Sequence, residues 1–220
     1  PLGLVAGLCQ ELGIARMIDA LLHKTPPVKV SHGEALVAMI VNGLGFHSST
    51  LHMFPQFFAN KPVERLIGPG ICADDLNDDV LGRCLDALFE ADVSALYQVM
   101  AAQVVERLGR KSTAVHLDIT SFHVDGAYDC ADGDLVGKLQ LVRGYSRDHR
   151  PELNQVILEL ICENQAGLPV YMQALSGNSN DTKAFAQTVR RHLSSLKAAQ
   201  ECRYLVGDAA LYCADTLQLL

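Results

Sequence analysis

The sequence predicts an α/β protein built in two parts, an all-helical first half and a second half in which strands and helices are layered. Three observations predict it. Apolar residues keep helical spacing as far as residue 109, the period shortens to two at about residue 112, and beyond that point strand-like runs alternate with helical ones. With 220 residues, 49% hydrophobic and 20% charged, the chain can bury one large core or two small ones.

The helical signals come in order. "LVAGLCQELG" and "IARMIDALLHK" are two short amphipathic stretches divided by Gly13, a residue suited to a helix C-terminus. "TPPVKV" breaks the pattern, and Ser31 with Glu34 forms an S-x-x-E capping box ahead of the apolar run Ala35 to Val41. Val80, Leu81, Cys84, Leu85, Leu88 and Phe89 mark a further helix, and Val93, Leu96, Met100, Val104 and Leu108 another that Gly109 ends.

In the second half "STAVHLDITSF" reads as a strand and "LVGKLQLV" at 135–142 alternates. "NQVILELICE" and "LPVYMQAL" are apolar runs joined by "NQAG", a hairpin loop. Three antiparallel strands in a row are expected. A helix follows from Asp181, then the short strand "RYLVGD", then the helical "AALYCADTLQLL". The expected domains are 1–110, helical, and 111–220, α/β.

A formal charge of -7 and a pI near 5.5 exclude a uniformly basic nucleic-acid binder, so any such contact must be local. The longest apolar runs are too short to span a bilayer, and no signal-like segment opens the chain, so a cytoplasmic protein with no membrane partner is expected. Seven cysteines without a C-x-x-C pair read as free thiols rather than a disulfide framework or zinc ribbon. The chain opens on Pro1 and closes on the start of an apolar helix, so it is expected to be part of a longer polypeptide.

Chemistry is suggested by two carboxylates. Asp118 sits within an apolar strand, and Asp208 ends another, where open α/β sheets place ligands. Taken singly, an Asp ending a strand is a common turn former or helix cap. If the two strands are neighbours, the carboxylates could meet at one sheet edge and share a divalent cation, Mg²⁺ or Mn²⁺, since hard cations take oxygen ligands. Two such ions about 4 Å apart suit in-line phosphoryl transfer.

"LDITSFHVDG", "RGYSRDHRPELNQVILEL", "GNSND" and "YLVGDAALY" together resemble the insertion-sequence DDE transposases of the IS-four-like superfamily. "KVSHGEALVAMIVNGLG" and "LNDDVLGRCLDALFE" are similar to the N-terminal domain of one branch. The resemblance implies a helical domain followed by a partial ribonuclease-H-like core: a three-strand antiparallel segment, helix, strand, helix. It implies that Asp118 and Asp208 are catalytic and metal-binding, with two Mg²⁺ or Mn²⁺ ions in the full enzyme. The third acid belongs to a downstream Y-x₂-R-x₃-E-x₆-K pattern that this sequence lacks, so the chain alone is expected to be inactive. Implied partners are transposon-end and target DNA and a second copy of the chain.

Arg143, Arg147, His149 and Arg150, opposed only by Asp148, could hold DNA phosphates or form a solvated basic loop. Thr120, Asn178, Asn180 and Asp181 fall in the matched motifs and are given supporting roles, although capping alone would explain Asn180 or Asp181. His116 shares a strand face with Asp118 and reads as a hydrogen-bonded structural histidine or a third ligand. The acidic "DGAYDCADGD" lacks EF-hand spacing and reads as a solvated connection. Two other functions compete: an inactive remnant that only binds DNA or a partner protein, and an unrelated metal-dependent phosphohydrolase.

Overall fold

The computed structural model describes residues 2–22, 28–44, 49–109, 113–126, 139–145, 149–179 and 203–207. The chain divides into two compact units, Pro1–Leu96 and Tyr97–Leu220.

The first unit is helical among its described residues. Helix α1 (Leu2–Leu12) stops at Gly13, whose φ of 74° is the left-handed conformation glycine adopts without a Cβ penalty, and α2 (Ile14–Leu21) starts directly after it. Ile14 and Ile18 lie on the buried side of α2, and Leu22, the extended residue just past its end, is buried with them. Helix α3 (His32–Gly43) begins at the expected capping box: the Glu34 N–H donates to Ser31 Oγ at 3.1 Å, and the Ser31 N–H donates to Glu34 Oε2 at 2.8 Å. Its Ala35, Val37, Ala38 and Val41 are buried, and it packs against α1, α2 and the later helix Asp78–Glu90. A Cβ on Gly33 would stand 2.1 Å from the Ala15 carbonyl oxygen, so α2 and α3 touch backbone to backbone there.

Two short helices, α4 (Phe54–Phe58) and α5 (Val63–Leu66), were not legible in the periodicity. Phe54 and Phe58 are fully buried at their cluster. In α6 (Asp78–Glu90) the Asn77 side chain accepts the Val80 N–H at 3.0 Å and caps the first turn. Leu81, Cys84 and Leu88 face the core, whereas Leu85 and Phe89, expected on the same stripe, are exposed. Helix α7 (Val93–Arg107) crosses from the first unit into the second and ends before Gly109. No helix among the described residues is long and apolar enough to cross a membrane.

The second unit carries a four-stranded sheet ordered β3-β2-β1-β4. Strands β1 (Ala114–Val124), β2 (Asn154–Glu163) and β3 (Pro169–Ser176) pair antiparallel, and β4 (Tyr204–Val206) lies parallel to β1 on its other side. The "NQAG" hairpin between β2 and β3 forms as expected, with Gly167 at φ 69°. Val115, Leu117 and Ile119 of β1 join Ile157, Ile161, Tyr171 and Val105 of α7 in one core.

One expected strand is corrected. Of 135–142, residues 139–141 form no strand and Val142 makes a single bridge to Gln155; residues 135–138 lie outside the described residues. The anticipated antiparallel partner of β1 is β2, because the longer apolar run supplies a ten-residue ladder. The helices expected from Asp181 and after Asp208 also lie outside the described residues. The mixed α/β class holds.

Candidate functional site

Strict alternation along β1 sends Val115, Leu117 and Ile119 into the core and His116, Asp118 and Thr120 to the opposite face. Asp118 is therefore exposed rather than buried, and its charge stays hydrated. Its Oδ1 accepts the Ile119 N–H at 2.8 Å. Level with it on β2 is Leu160; Cys162 stands across from His116, and Leu158 across from the half-buried Thr120. The Cys162 thiol is pushed up by burial first and then by the charges of Glu163 and Asp118. His116 is exposed, and its side chain makes no hydrogen bond among the described residues, so it differs from the hydrogen-bonded structural histidine expected.

On the other flank of β1, Ala114, Val115 and His116 stand level with Tyr204, Leu205 and Val206. The two strands are neighbours, as the pairing of their aspartates would require. Asp208 itself lies outside the described residues, as do Arg147, Asn180 and Asp181. Among the described residues no group of three His, Cys, Asp or Glu side chains could hold a metal ion. Asp118 offers a hard oxygen donor suited to Mg²⁺ or Mn²⁺, and a complete site needs further ligands.

Of the remaining candidates, Arg143, His149, Arg150 and Asn178 are all exposed. His149 adopts φ 57° in the loop before β2. Arg150 forms an ion pair with Glu152, which the sequence reading did not count against the basic loop. That pairing holds the Glu152 carboxyl below its ordinary value, with the Arg143 charge adding to it. Arg150 in turn is raised by Glu152 and feels the charge of Asp125. The loop is thus a set of arginines partly neutralised by carboxylates.

Three polar residues that sequence reasoning missed lie buried on β2: Gln155, Glu159 and Glu163. Glu163 accepts the N–H groups of Gln165 at 2.7 Å, Ala166 at 2.6 Å and Leu168 at 3.1 Å, so its carboxylate organises the hairpin loop. Their spacing of four places all three on one strand face, which was a legible signal. Which face would be buried was not, because the other face carries Val156, Leu158 and Leu160.

In the helical unit Asp75 gathers Lys29 at 2.6 Å, the Cys72 N–H at 2.8 Å and the Cys72 thiol at 2.9 Å. The thiol bond, then the Lys29 bond, lower its carboxyl to about 2. Cys9, Cys72, Cys84 and Cys162 are free thiols, as expected; the other three cysteines lie outside the described residues.

Residues 1–102 match the family described as "Domain of unknown function (DUF4277)". No curated protein matches the chain. Among solved structures the chain is similar to one described as "Mos1 transposase paired-end complex with left transposon end", at 11% sequence identity and a TM-score of 0.32. The alignment covers 90% of this chain and 58% of that one, so the chain spans little more than half the length of the structure it matches. A superposition this loose does not define a shared fold or a shared function.

Proposed function

We propose that the chain is the helical domain and part of the catalytic core of an insertion-sequence DDE transposase, which cleaves DNA at transposon ends and joins them to target DNA. The observation that carries the reading is a register. Each β1–β4 pair, from Ala114 with Tyr204 to His116 with Val206, is separated by ninety positions, and so are Asp118 and Asp208. Two more residues of β4 in the same register would set the carboxylates level on adjacent strands, about 4.8 Å apart by ordinary strand spacing.

Further support comes from the order of elements. Three antiparallel strands and a fourth alongside the first support the strand part of the segment that the ribonuclease-H-like resemblance implies. A helical unit followed by a sheet-bearing unit, dividing at Leu96/Tyr97, is a further support. Asp118 and Asp208, with a glutamate from outside this sequence, would hold Mg²⁺ or Mn²⁺, which supplies an activated oxygen nucleophile and charge stabilisation for phosphoryl transfer. Asp118 contributes a hydrated carboxylate on an exposed sheet face, accessible to a DNA strand. The arginines before β2 would grip phosphates. The reading carries with it a homodimer acting in the cytoplasm.

The helical unit is poorly suited to bind DNA by charge alone. Residues 1–96 hold eleven Asp and Glu against six Lys and Arg, which argues against a remnant whose helical half is the DNA-binding module.

The reading is tested by titrating the chain with Mn²⁺ alongside Asp118→Asn and Asp208→Asn. Each substitution should abolish binding while leaving the far-ultraviolet spectrum unchanged. Binding indifferent to both substitutions overturns the shared site. In the complete enzyme, Asp118→Asn should lower metal-dependent end cleavage by a factor of about 10³ or more, the scale on which removal of catalytic groups acts.

A further inference from the structure

Gly144, Gln155 and Gly177 are far apart in sequence and meet at one end of the sheet. On one side of Gln155, β1 sets His123 level with it. On the other side β3 has ended at Ser176, and Val142 occupies the vacated lane, its carbonyl accepting the Gln155 N–H at 3.0 Å. Gln155 is 2% exposed, and its Nε2 donates to the carbonyls of Tyr145 at 3.1 Å and Gly177 at 2.8 Å. Both donors of the amide are therefore used on backbone that precedes and follows β2.

The two glycines make the approach possible. A Cβ on Gly144 would stand 2.0 Å from the Gly177 carbonyl oxygen, and one on Gly177 would stand 2.2 Å from that of Gln155. A second tie runs from the Gly177 N–H to the Gln140 carbonyl at 3.1 Å, and from the Gln140 N–H to Ser176 Oγ at 3.0 Å. Arg143 lies between Val142 and Gly144, both pinned, and is itself exposed. Asp118 is level with Leu160, five residues along β2 from Gln155, which is about 17 Å of strand or roughly five base-pair steps of one DNA strand.

We propose that Gln155 is a positioning residue: it clamps the segment 140–145 to the end of the sheet so that Arg143 grips the phosphate backbone of DNA running toward Asp118. The proposal rests on the transposase reading and adds to it the group that holds the phosphate contact in place. An arginine on a free loop would lose that entropy on binding; one on pinned backbone has lost it on folding. The contact is to phosphodiester and carries no base specificity.

The experiment measures binding of a fluorescently labelled random-sequence duplex to the chain against salt concentration, for the unaltered protein, Arg143→Ala, Gln155→Met, Gly144→Ala and the double variant Arg143→Ala/Gln155→Met. Each single substitution should lower the slope of log Kd against log salt by about one, although neither Gln155 nor Gly144 carries charge. The double variant should fall no further than either of its singles. Gly144→Ala disturbs the clamp from the loop side while keeping the glutamine, its added Cβ standing 2.0 Å from the Gly177 carbonyl oxygen and 2.6 Å from Gln155 Nε2, and decides the matter should Gln155→Met unfold.

A full slope in Gly144→Ala and Gln155→Met, beside a reduced one in Arg143→Ala, overturns the clamp and leaves the transposase reading intact. An undiminished slope in Arg143→Ala overturns the phosphate contact. Absence of salt-dependent binding in the unaltered chain overturns this use of DNA, whereas loss of Mn²⁺ binding in Asp118→Asn continues to support the metal site independently.

Discussion

The two units solve burial differently. In the helical unit the buried residues are almost all apolar; among the described ones Asn42 is the polar exception, exchanging hydrogen bonds of 2.9 Å with both backbone groups of Ser49. Its carboxylates stay at or near the surface. In the sheet unit one strand face buries Gln155, Glu159 and Glu163 beside Ile157 and Ile161. Buried polar groups are costly unless satisfied, so the sheet unit depends on hydrogen-bond geometry where the helical unit depends on close packing. Geometry of that kind is also what positions functional groups, and the hydrogen bonds of Gln155 to Tyr145 and Gly177 belong to it.

The comparison is tested most severely at Glu163. Glu163→Ala leaves the N–H groups of Gln165, Ala166 and Leu168 without their acceptor, and the sheet unit should lose about 3 kcal/mol, read from its urea transition. A loss under 1 kcal/mol would mean that the hairpin holds itself and that polar burial is incidental. The packing counterpart is Gly33→Ala. The added Cβ has no room beside the Ala15 carbonyl, and the Gly33 N–H bond to Asp19 at 2.7 Å would be strained, so the helical unit should lose about 2 kcal/mol. An unchanged midpoint would show that α2 and α3 can separate freely.

The smallest expected effect concerns the surface electrostatics of the helical unit. The Asp75 carboxyl is lowered from 3.8 to about 2 by the Cys72 thiol, Lys29 and the Cys72 N–H. Because its folded value lies below its unfolded one, its contribution to stability is fully present above about pH 4 and is lost as the pH falls toward 2. Urea midpoints of the helical unit should decline across that window and decline less in Asp75→Asn. Equal declines would assign the acid sensitivity to other carboxylates.

Much of the helical unit was legible because its signals are local. Ser31 and Glu34 are three residues apart and bond each other across one turn, and Gly13 supplies its own backbone conformation. The exposed Leu85 and Phe89 were not legible, since helical period identifies a stripe but not the edge at which burial stops. In the sheet, the β2–β3 hairpin was legible from "NQAG", whereas 135–142 looked like strand and its described part, 139–142, makes one bridge, at Val142. Local alternation cannot show that β3 ends first and leaves a lane for it.

The candidate site divides in the same way. Asp118 was conspicuous because a carboxylate interrupts an apolar alternation, and its strand was identified correctly. Its exposure was not evident, because only the packed sheet decides which face of β1 meets the core. Likewise the Glu152 partner of Arg150 lies two residues away and is visible in sequence, but its engagement depends on the bend of the loop.

By itself the sequence determined the α/β class, the start of α3 at its capping box and the break at Gly13, the hairpin and the acidic residues worth testing, since each depends on neighbours a few positions apart. Tertiary structure alone decided that β4 runs beside β1 with an offset of ninety, that Gln155 joins backbone segments from either side of β2, and that carboxylates on β2 are buried. Those outcomes depend on distances between residues remote in the chain, and such distances exist only once the strands have paired.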